Sequence, residues 1–292
     1  MQVVAGPSSR RLAEKVAKLT GSDLIEVFSK TFPDGEVYIR LLSKPISPPY
    51  IVIQSMSPPQ DSSLMQLLQI ISAIRFESMG KIVVVSPYMA YARQDKRFLE
   101  GEPISAHIVG KVIESLGADA FLTIEVHSDS ALKGFQIPAL SIEPESLIAE
   151  YISEELSGNP FLLAPDEGAL SRVSRLATIL SCKYGHLKKS RDRYTGEIHV
   201  ESPSYDFEGQ DVVIYDDIIS TGGTMALASK FAKKAGASKV YTLCIHGLFV
   251  GNSINKLTEA GVSEIISTDT VESIYSKISM APLIAEEITK FV

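Results

Sequence analysis

The chain lacks any apolar run near the roughly 20 residues that a membrane-crossing helix needs, so a spanning segment is not expected. Its start, Met1-Gln-Val-Val-Ala-Gly6, has no basic segment followed by an apolar core and reads directly as a first strand, not a signal peptide. Cysteine is scarce. Cys182 and Cys244 each lie in an apolar context without metal-ligand spacing, so both are expected as buried thiols in a reducing compartment, with the cytoplasm as default. Positive charge is not in excess either. A net charge of −7 argues against nucleic acid as the main partner, since a phosphate backbone is met by a basic stripe. No Walker A loop occurs, because Gly80-Lys81 and Gly110-Lys111 are each followed by an apolar residue where that loop carries Ser or Thr. Any nucleotide is therefore held in another way.

What is present is an ordinary globular composition, 45% hydrophobic and 22% charged, in 292 residues, a length that suggests two domains. Short apolar runs alternate with helical periodicity. Strands are expected at Val3–Ala5, Leu24–Phe28, Tyr50–Ile53, Ile82–Ser86, Ala120–Ile124, Phe161–Ala164, Val212–Tyr215, Val240–Ile245 and Glu264–Ser267, with helices between them. Such alternation implies an α/β fold with mainly parallel sheets covered on both faces. Pro138 and Pro144 bracket a short polar link, which sets expected domains of 1–142 and 143–292, two similar doubly wound halves of about five strands each. The last helix, Pro282 to Phe291, could pack on either. Lys188 to Ser204 is polar with alternating charges and reads as a β-hairpin or mobile loop.

One stretch, Asp211-Val-Val-Ile-Tyr-Asp-Asp-Ile-Ile-Ser-Thr-Gly-Gly-Thr-Met225, describes a binding site in a line. A buried strand, Val212 to Tyr215, is expected to end at two carboxylates, Asp216 and Asp217. The loop Ser220, Thr221, Gly222, Gly223 and Thr224 then enters a helix expected from Met225. Loop N–H groups and the unpaired donors of a first helical turn converge on one point, which suits a phosphate. The paired acids suit sugar hydroxyls, a metal, or both, so a phosphorylated sugar fits better than a bare nucleotide. A Thr-capped strand-to-helix turn would account for the loop alone and leaves the acid pair unexplained.

This run resembles the phosphoribosyl-diphosphate motif of type I phosphoribosyltransferases, with one departure: Ser220 stands where the usual pattern has an acid. Further segments add to it. Phe32-Pro-Asp-Gly-Glu36 is a tight turn beside an aromatic. Tyr88-Met-Ala-Tyr-Ala-Arg-Gln-Asp-Lys-Arg97 follows a strand, and its Arg93, Lys96 and Arg97 suit polyphosphate oxygens, while Tyr88 and Tyr91 read as packing. Glu125-Val-His127 ends another strand. Alone, each is more often a solvent-facing turn, a charged loop or a hydrogen-bonded structural histidine.

In order and spacing, these segments, with Ala164-Pro-Asp-Glu-Gly168, Lys189-Ser-Arg191 and the Asp216–Thr224 run, resemble the ribose-phosphate pyrophosphokinase family over nearly the whole chain. The resemblance implies an ATP-binding first half and a ribose 5-phosphate-binding second half, both type I phosphoribosyltransferase-like. It implies Phe32 stacking on adenine, Asp34, Gly35, Glu36, Arg93 and Gln94 in the ATP site, and His127 and Asp166 associated with Mg2+. Asp216, Asp217, Ser220, Thr221, Gly222, Gly223 and Thr224, with Arg191, would bind ribose 5-phosphate, and Lys189 and Arg191 would be the catalytic cations. The neighbouring Lys188 and Arg193 read as solvated charges. It further implies a homo-oligomer, a dimer or higher, with no nucleic-acid or membrane partner. Ser220 resembles archaeal members, and the acidic, apolar segment Phe98 to Pro103 implies that ADP control is absent. A phosphoribosyltransferase, a catalytically silent regulatory relative and an RNA-binding regulator are the competing readings. The first leaves the FPDGE and YARQDKR segments unexplained, the second should lack part of the ATP or Mg2+ set, and the third conflicts with the net charge.

Overall fold

The computed structural model describes residues 1–156, 158–191, 198–201 and 205–291. They divide into two compact units. One comprises Met1–Glu143, Thr270–Glu272 and Ser279–Val292, and the other Pro144–Asp269 and Ser273–Ile278.

The first unit runs β1 (Gln2–Ala5), α1 (Arg10–Thr20), β2 (Asp23–Thr31), β3 (Val37–Leu41), β4 (Tyr50–Ile53), α2 (Gln60–Glu77), β5 (Ile82–Val85), α3 (Ser105–Ser115), β6 (Ala120–Ile124) and β7 (Ala139–Ile142). The sheet order is β3-β2-β1-β4-β5-β6-β7, parallel except for the β2–β3 pair. β1, β4, β5 and β6 are buried throughout, as strands covered on both faces must be, and their sequences are correspondingly apolar runs. Two strands of this unit were not expected, nor were β9 (Tyr184–His186) and β15 (Ser276–Ile278) of the second. β3 alternates half-buried and exposed residues on the sheet edge, so it carries no apolar run to announce it. β7 lies in the proline-bracketed segment expected as a polar link. Its backbone pairs with β6 from Phe121↔Ala139 to Ile124↔Ile142, and only Ile142 is buried.

The second unit runs α4 (Glu145–Glu155), β8 (Phe161–Ala164), α5 (Leu170–Leu180), β9 (Tyr184–His186), β10 (Lys188–Arg191), β11 (Ile198–Glu201), β12 (Val212–Ile219), α6 (Gly223–Lys234), β13 (Val240–Gly247), α7 (Ser253–Glu259), β14 (Glu264–Thr268) and β15 (Ser276–Ile278). Its sheet is parallel, ordered β15-β14-β13-β12-β8-β9, with β10 and β11 forming a separate antiparallel hairpin. The chain then returns to the first unit, where α8 (Ala281–Ile288) packs on α1 and Lys15 Nζ donates to Ser279 Oγ at 3.0 Å. Cys244 is buried as expected, but Cys182 is only partly so.

Each sheet has a point where strand order reverses, β1/β4 in the first and β8/β12 in the second. Ligands of open α/β sheets gather beyond the carboxyl ends of strands at such a point. Beneath the second switch point lies an apolar core that includes Phe161, Leu163, Ile214 and Cys244. Phe207 is 1% exposed there, with its ring centroid 5.0 Å from that of Phe161 and 5.4 Å from that of Tyr205. Phe207→Ala should cost about 3–5 kcal/mol. The check is a urea titration of the variant; a loss under about 1 kcal/mol would mean the cavity collapses freely.

Candidate active site

β12 continues past the expected end at Tyr215 and carries both acids within it. Its register with β8 stops at Ile214↔Leu163, whereas its register with β13 continues through Asp216↔Cys244 to Ile219↔Gly247. Asp216 and Asp217 therefore lie where β12 outruns β8, at the switch point. Asp217 is 4% exposed. Asp216 Oδ1 turns back to accept the Asp217 N–H at 2.9 Å.

A cation holds the pair together. Arg172 on α5 places Nη1 3.1 Å from Asp216 Oδ1 and Nη2 3.4 Å from Asp217 Oδ2, and is itself 6% exposed. The motif reading did not include Arg172. A signal for it did exist: Arg172 shares the buried stripe of α5 with Val173, Leu176 and Ala177, and an arginine on an apolar face needs a buried partner. Burial and the adjoining Asp217 charge push the Asp216 carboxyl up to about 7, with Arg172 pulling the other way. Burial, with a smaller contribution from both carboxylates, pushes the Cys244 thiol up as well.

α6 begins at Gly223, two residues earlier than expected, and its cap is Gly222 at φ +75°, not a threonine. A Cβ at 222 would also lie 3.1 Å from the Ser253 carbonyl oxygen, so glycine is favoured on both counts. The carbonyls are occupied from behind. Leu248 and Phe249 donate to Ile219 O at 3.0 Å each, Val250 donates to Ser220 O at 3.0 Å, and Lys256 Nζ reaches Thr221 O at 3.3 Å. Thr221, Gly223 and Thr224 are exposed, and Asp166, half-buried, follows β8 on the other side of the switch point. Lys189 and Arg191 fall two positions apart on β10, in register with Val200 and Ile198. Arg193 lies outside the described residues.

In the first unit, Phe32-Pro-Asp-Gly-Glu36 is the five-residue connection of the β2–β3 hairpin. Phe32 N–H donates to Glu36 O at 2.8 Å, Gly35 N–H to Phe32 O at 2.9 Å, and Glu36 N–H to Asp34 Oδ1 at 3.2 Å. Gly35 takes φ +96°, open to glycine without strain. The Phe32 ring is 38% exposed, with Lys30 Nζ 4.1 Å from its centroid and Tyr38 edge-on at 6.3 Å. An aromatic held at the surface in this way offers area to a planar ligand. Arg93 is exposed and Gln94 half-buried on the loop after β5; His127 is exposed on the segment after β6. The two tyrosines of that first loop differ from expectation. Tyr88 is packing, 8% exposed, whereas Tyr91 is 39% exposed, takes φ +65°, and donates its hydroxyl to Asp61.

A glycine-capped loop and an enclosed acid pair thus stand together at the switch point of a parallel sheet in an α/β protein. Residues 135–274 match the phosphoribosyl transferase domain, and residues 1–117 match the N-terminal domain of ribose phosphate pyrophosphokinase. The chain is 40% identical to the ribose-phosphate pyrophosphokinase of Sulfolobus acidocaldarius, covering 96% of each chain. It is 39% identical to that of Sulfurisphaera tokodaii, over 99% of this chain and 100% of the relative. Its fold is similar to the crystal structure of phosphoribosylpyrophosphate synthetase from Mycobacterium smegmatis, with a TM-score of 0.86, 28% identity, and coverage of 100% of this chain and 98% of the other. The chain belongs to the ribose-phosphate pyrophosphokinase family. The archaeal resemblance agrees with the two curated relatives, which are archaeal.

Because Asp216 holds its proton more tightly folded than unfolded, deprotonation works against the fold, and stability falls as pH rises from the ordinary 3.8 through about 7. Asp216→Asn should remove that slope. Calorimetry should show the variant melting above the parent at about pH 8 and closer to it at about pH 5. Parallel curves would contradict the shift.

Proposed function

We propose that the chain transfers the pyrophosphoryl group of ATP to the C1 hydroxyl of ribose 5-phosphate, giving phosphoribosyl diphosphate and AMP. The observation that carries this reading is the acid pair beside the glycine-capped loop in a chain whose first unit matches the pyrophosphokinase N-terminal domain. Asp216 and Asp217 accept from the ribose hydroxyls, and the N–H groups and hydroxyls of Ser220 to Thr224, with Arg191, hold the 5-phosphate. Phe32 stacks on adenine, with Asp34, Gly35 and Glu36 beside it, and Arg93 and Gln94 hold the polyphosphate.

The C1 hydroxyl oxygen attacks the β-phosphorus in line and gives up its proton to water. The bond from that phosphorus to its bridging oxygen on the α-phosphate breaks, and AMP departs with the oxygen. Charge spreads over phosphate oxygens, so catalysis is positioning plus cationic stabilisation, the part assigned to Lys189 and Arg191. These cations sit on a hairpin, an element suited to closing over substrate and excluding water.

Among the described residues no three His, Cys, Asp or Glu side chains gather into a metal cage. A Mg2+ ion held through one protein ligand, waters and substrate phosphates needs none, and His127 and half-buried Asp166 are suitable donors of that kind. When bound, the ion supplies positive charge to the phosphate oxygens. No helix of the described residues is long and apolar enough to cross a membrane. Homo-oligomeric assembly and cytoplasmic action belong to the same reading. The absence of ADP control belongs to the same reading; on that loop the Glu102 carboxylate accepts the Phe98 and Leu99 N–H groups at 2.8 and 3.0 Å.

Phosphorus NMR of the protein with ATP, ribose 5-phosphate and Mg2+ tests the reading. AMP and a sugar-linked diphosphate should appear only when both substrates are present; consumption of phosphoribosyl diphosphate only with a free base would replace it with a transferase. Lys189→Ala should lower kcat by orders of magnitude without moving the melting temperature, and near-normal turnover would remove Lys189 from the chemistry. Asp216→Ala should raise KM for ribose 5-phosphate.

A further inference from the structure

The loop bearing Arg93 and Gln94 leaves β5, and the segment bearing His127 leaves β6, the strand paired with it. One carboxylate lies between them. Asp95 is 9% exposed although Lys96 and Arg97 beside it are exposed. It accepts a hydrogen bond from the Ser130 hydroxyl. Ser128 Oγ meets Ser130 Oγ at 2.8 Å and accepts the Ser130 N–H at 3.4 Å, capping the 3-10 turn Asp129–Gly134. From α3, His107 Nε2 meets the Ser130 carbonyl at 3.0 Å. The start of α3 also holds the other loop: Ala106 N–H donates to Gln94 O at 3.3 Å, and the Ser105 hydroxyl donates to Gln94 Oε1.

Each tie adjoins a residue of the proposed nucleotide site. Asp95 follows Gln94, and Ser128 follows His127. Just ahead of His127, Glu125 takes φ +37°, a conformation that non-glycine residues keep only where the surroundings over-determine it. Hydrogen bonding from Ser130 holds the Asp95 carboxyl below its ordinary range against the opposing effect of burial, with Ser128 and Lys96 assisting. The acid is therefore ionised and accepts only, while both hydroxyls are free to donate.

We propose that Asp95 is a positioning residue for ATP. Through Ser130 its carboxylate locks the Arg93–Gln94 loop to the His127 segment, so that guanidinium and imidazole are held at a fixed separation before the nucleotide arrives. The role rests on the nucleotide reading of those residues. It requires no contact between Asp95 and substrate, which separates it from a direct ligand. Preorganising groups one shell out typically changes affinity or activity by about 10–100-fold.

Steady-state kinetics and calorimetric titration of ATP with Mg2+, on the full chain, test it through Ser130→Ala, Asp95→Asn and the double variant. The expected result is a KM for ATP raised about tenfold in each, no further rise in the double, and an unchanged KM for ribose 5-phosphate. Ser130→Thr, which keeps the hydroxyl, should restore the parent value. An effect of Asp95→Asn with a silent Ser130→Ala would make Asp95 a direct ligand and overturn the proposal. So would a lowered melting temperature with unchanged KM, which is the mark of a purely structural tie. Arg93→Ala separates the two levels. If it raises KM for ATP while the clamp variants do not, only the clamp fails; if it too leaves KM unchanged, the nucleotide reading fails with it.

Discussion

Two carboxylates held side by side on one buried strand repel each other, and much of the second unit answers that repulsion. Asp217 has almost no water to screen it, and Asp216 is largely enclosed as well. α5 brings Arg172 in from the side of β8 to meet both, and β12 outruns β8 so that the pair opens toward a ligand instead of another strand. Arg172 is a cation that the two acids share. Hydroxyl donors or a divalent ion are the kinds of group that relieve repulsion between two such carboxylates.

The phosphate loop follows a related logic. Backbone carbonyls repel phosphate as firmly as N–H groups attract it, so a cradle needs its carbonyls turned away and occupied. Residues 248–256 do this for Ile219, Ser220 and Thr221, and Gly222 lets Ser253 press against the loop from behind. At the first unit's switch point the same topology is used otherwise. Gln54 Oε1 takes the Ser8 N–H at 3.1 Å, Ser9 Oγ takes the Ser55 N–H at 2.8 Å, and a side chain at Gly6 would fall 2.2 Å from Gln54 Oε1. That crevice is filled by its own side chains. The candidate nucleotide residues accordingly lie on the β2–β3 hairpin and on the segments after β5 and β6.

Legibility followed burial. The central strands were plain because both faces are covered, which leaves an uninterrupted apolar run such as Ile82–Val85. β3, β7, β9 and β15 were missed because they are edge strands, which bury little and so carry no continuous apolar run. The end of β12 was misread for a related reason: Asp216 and Asp217 look like a strand terminus until β13 is seen to pair beyond them. The site was legible as motifs, because Asp-Asp and Ser-Thr-Gly-Gly-Thr are contiguous. Arg172 was not, being 44 residues upstream of Asp216.

The sequence by itself therefore determined the alternating α/β order, the glycine-bearing loop, the acid pair, and the family, since each of these is written in local patterns of burial, chain conformation and charge. Only the tertiary structure decided which carboxyl is shifted, which arginine meets the pair, why position 222 disfavours a side chain, and how Asp95 ties two loops together. Those depend on groups far apart in the chain meeting where water is excluded, and no local pattern records the distance between them.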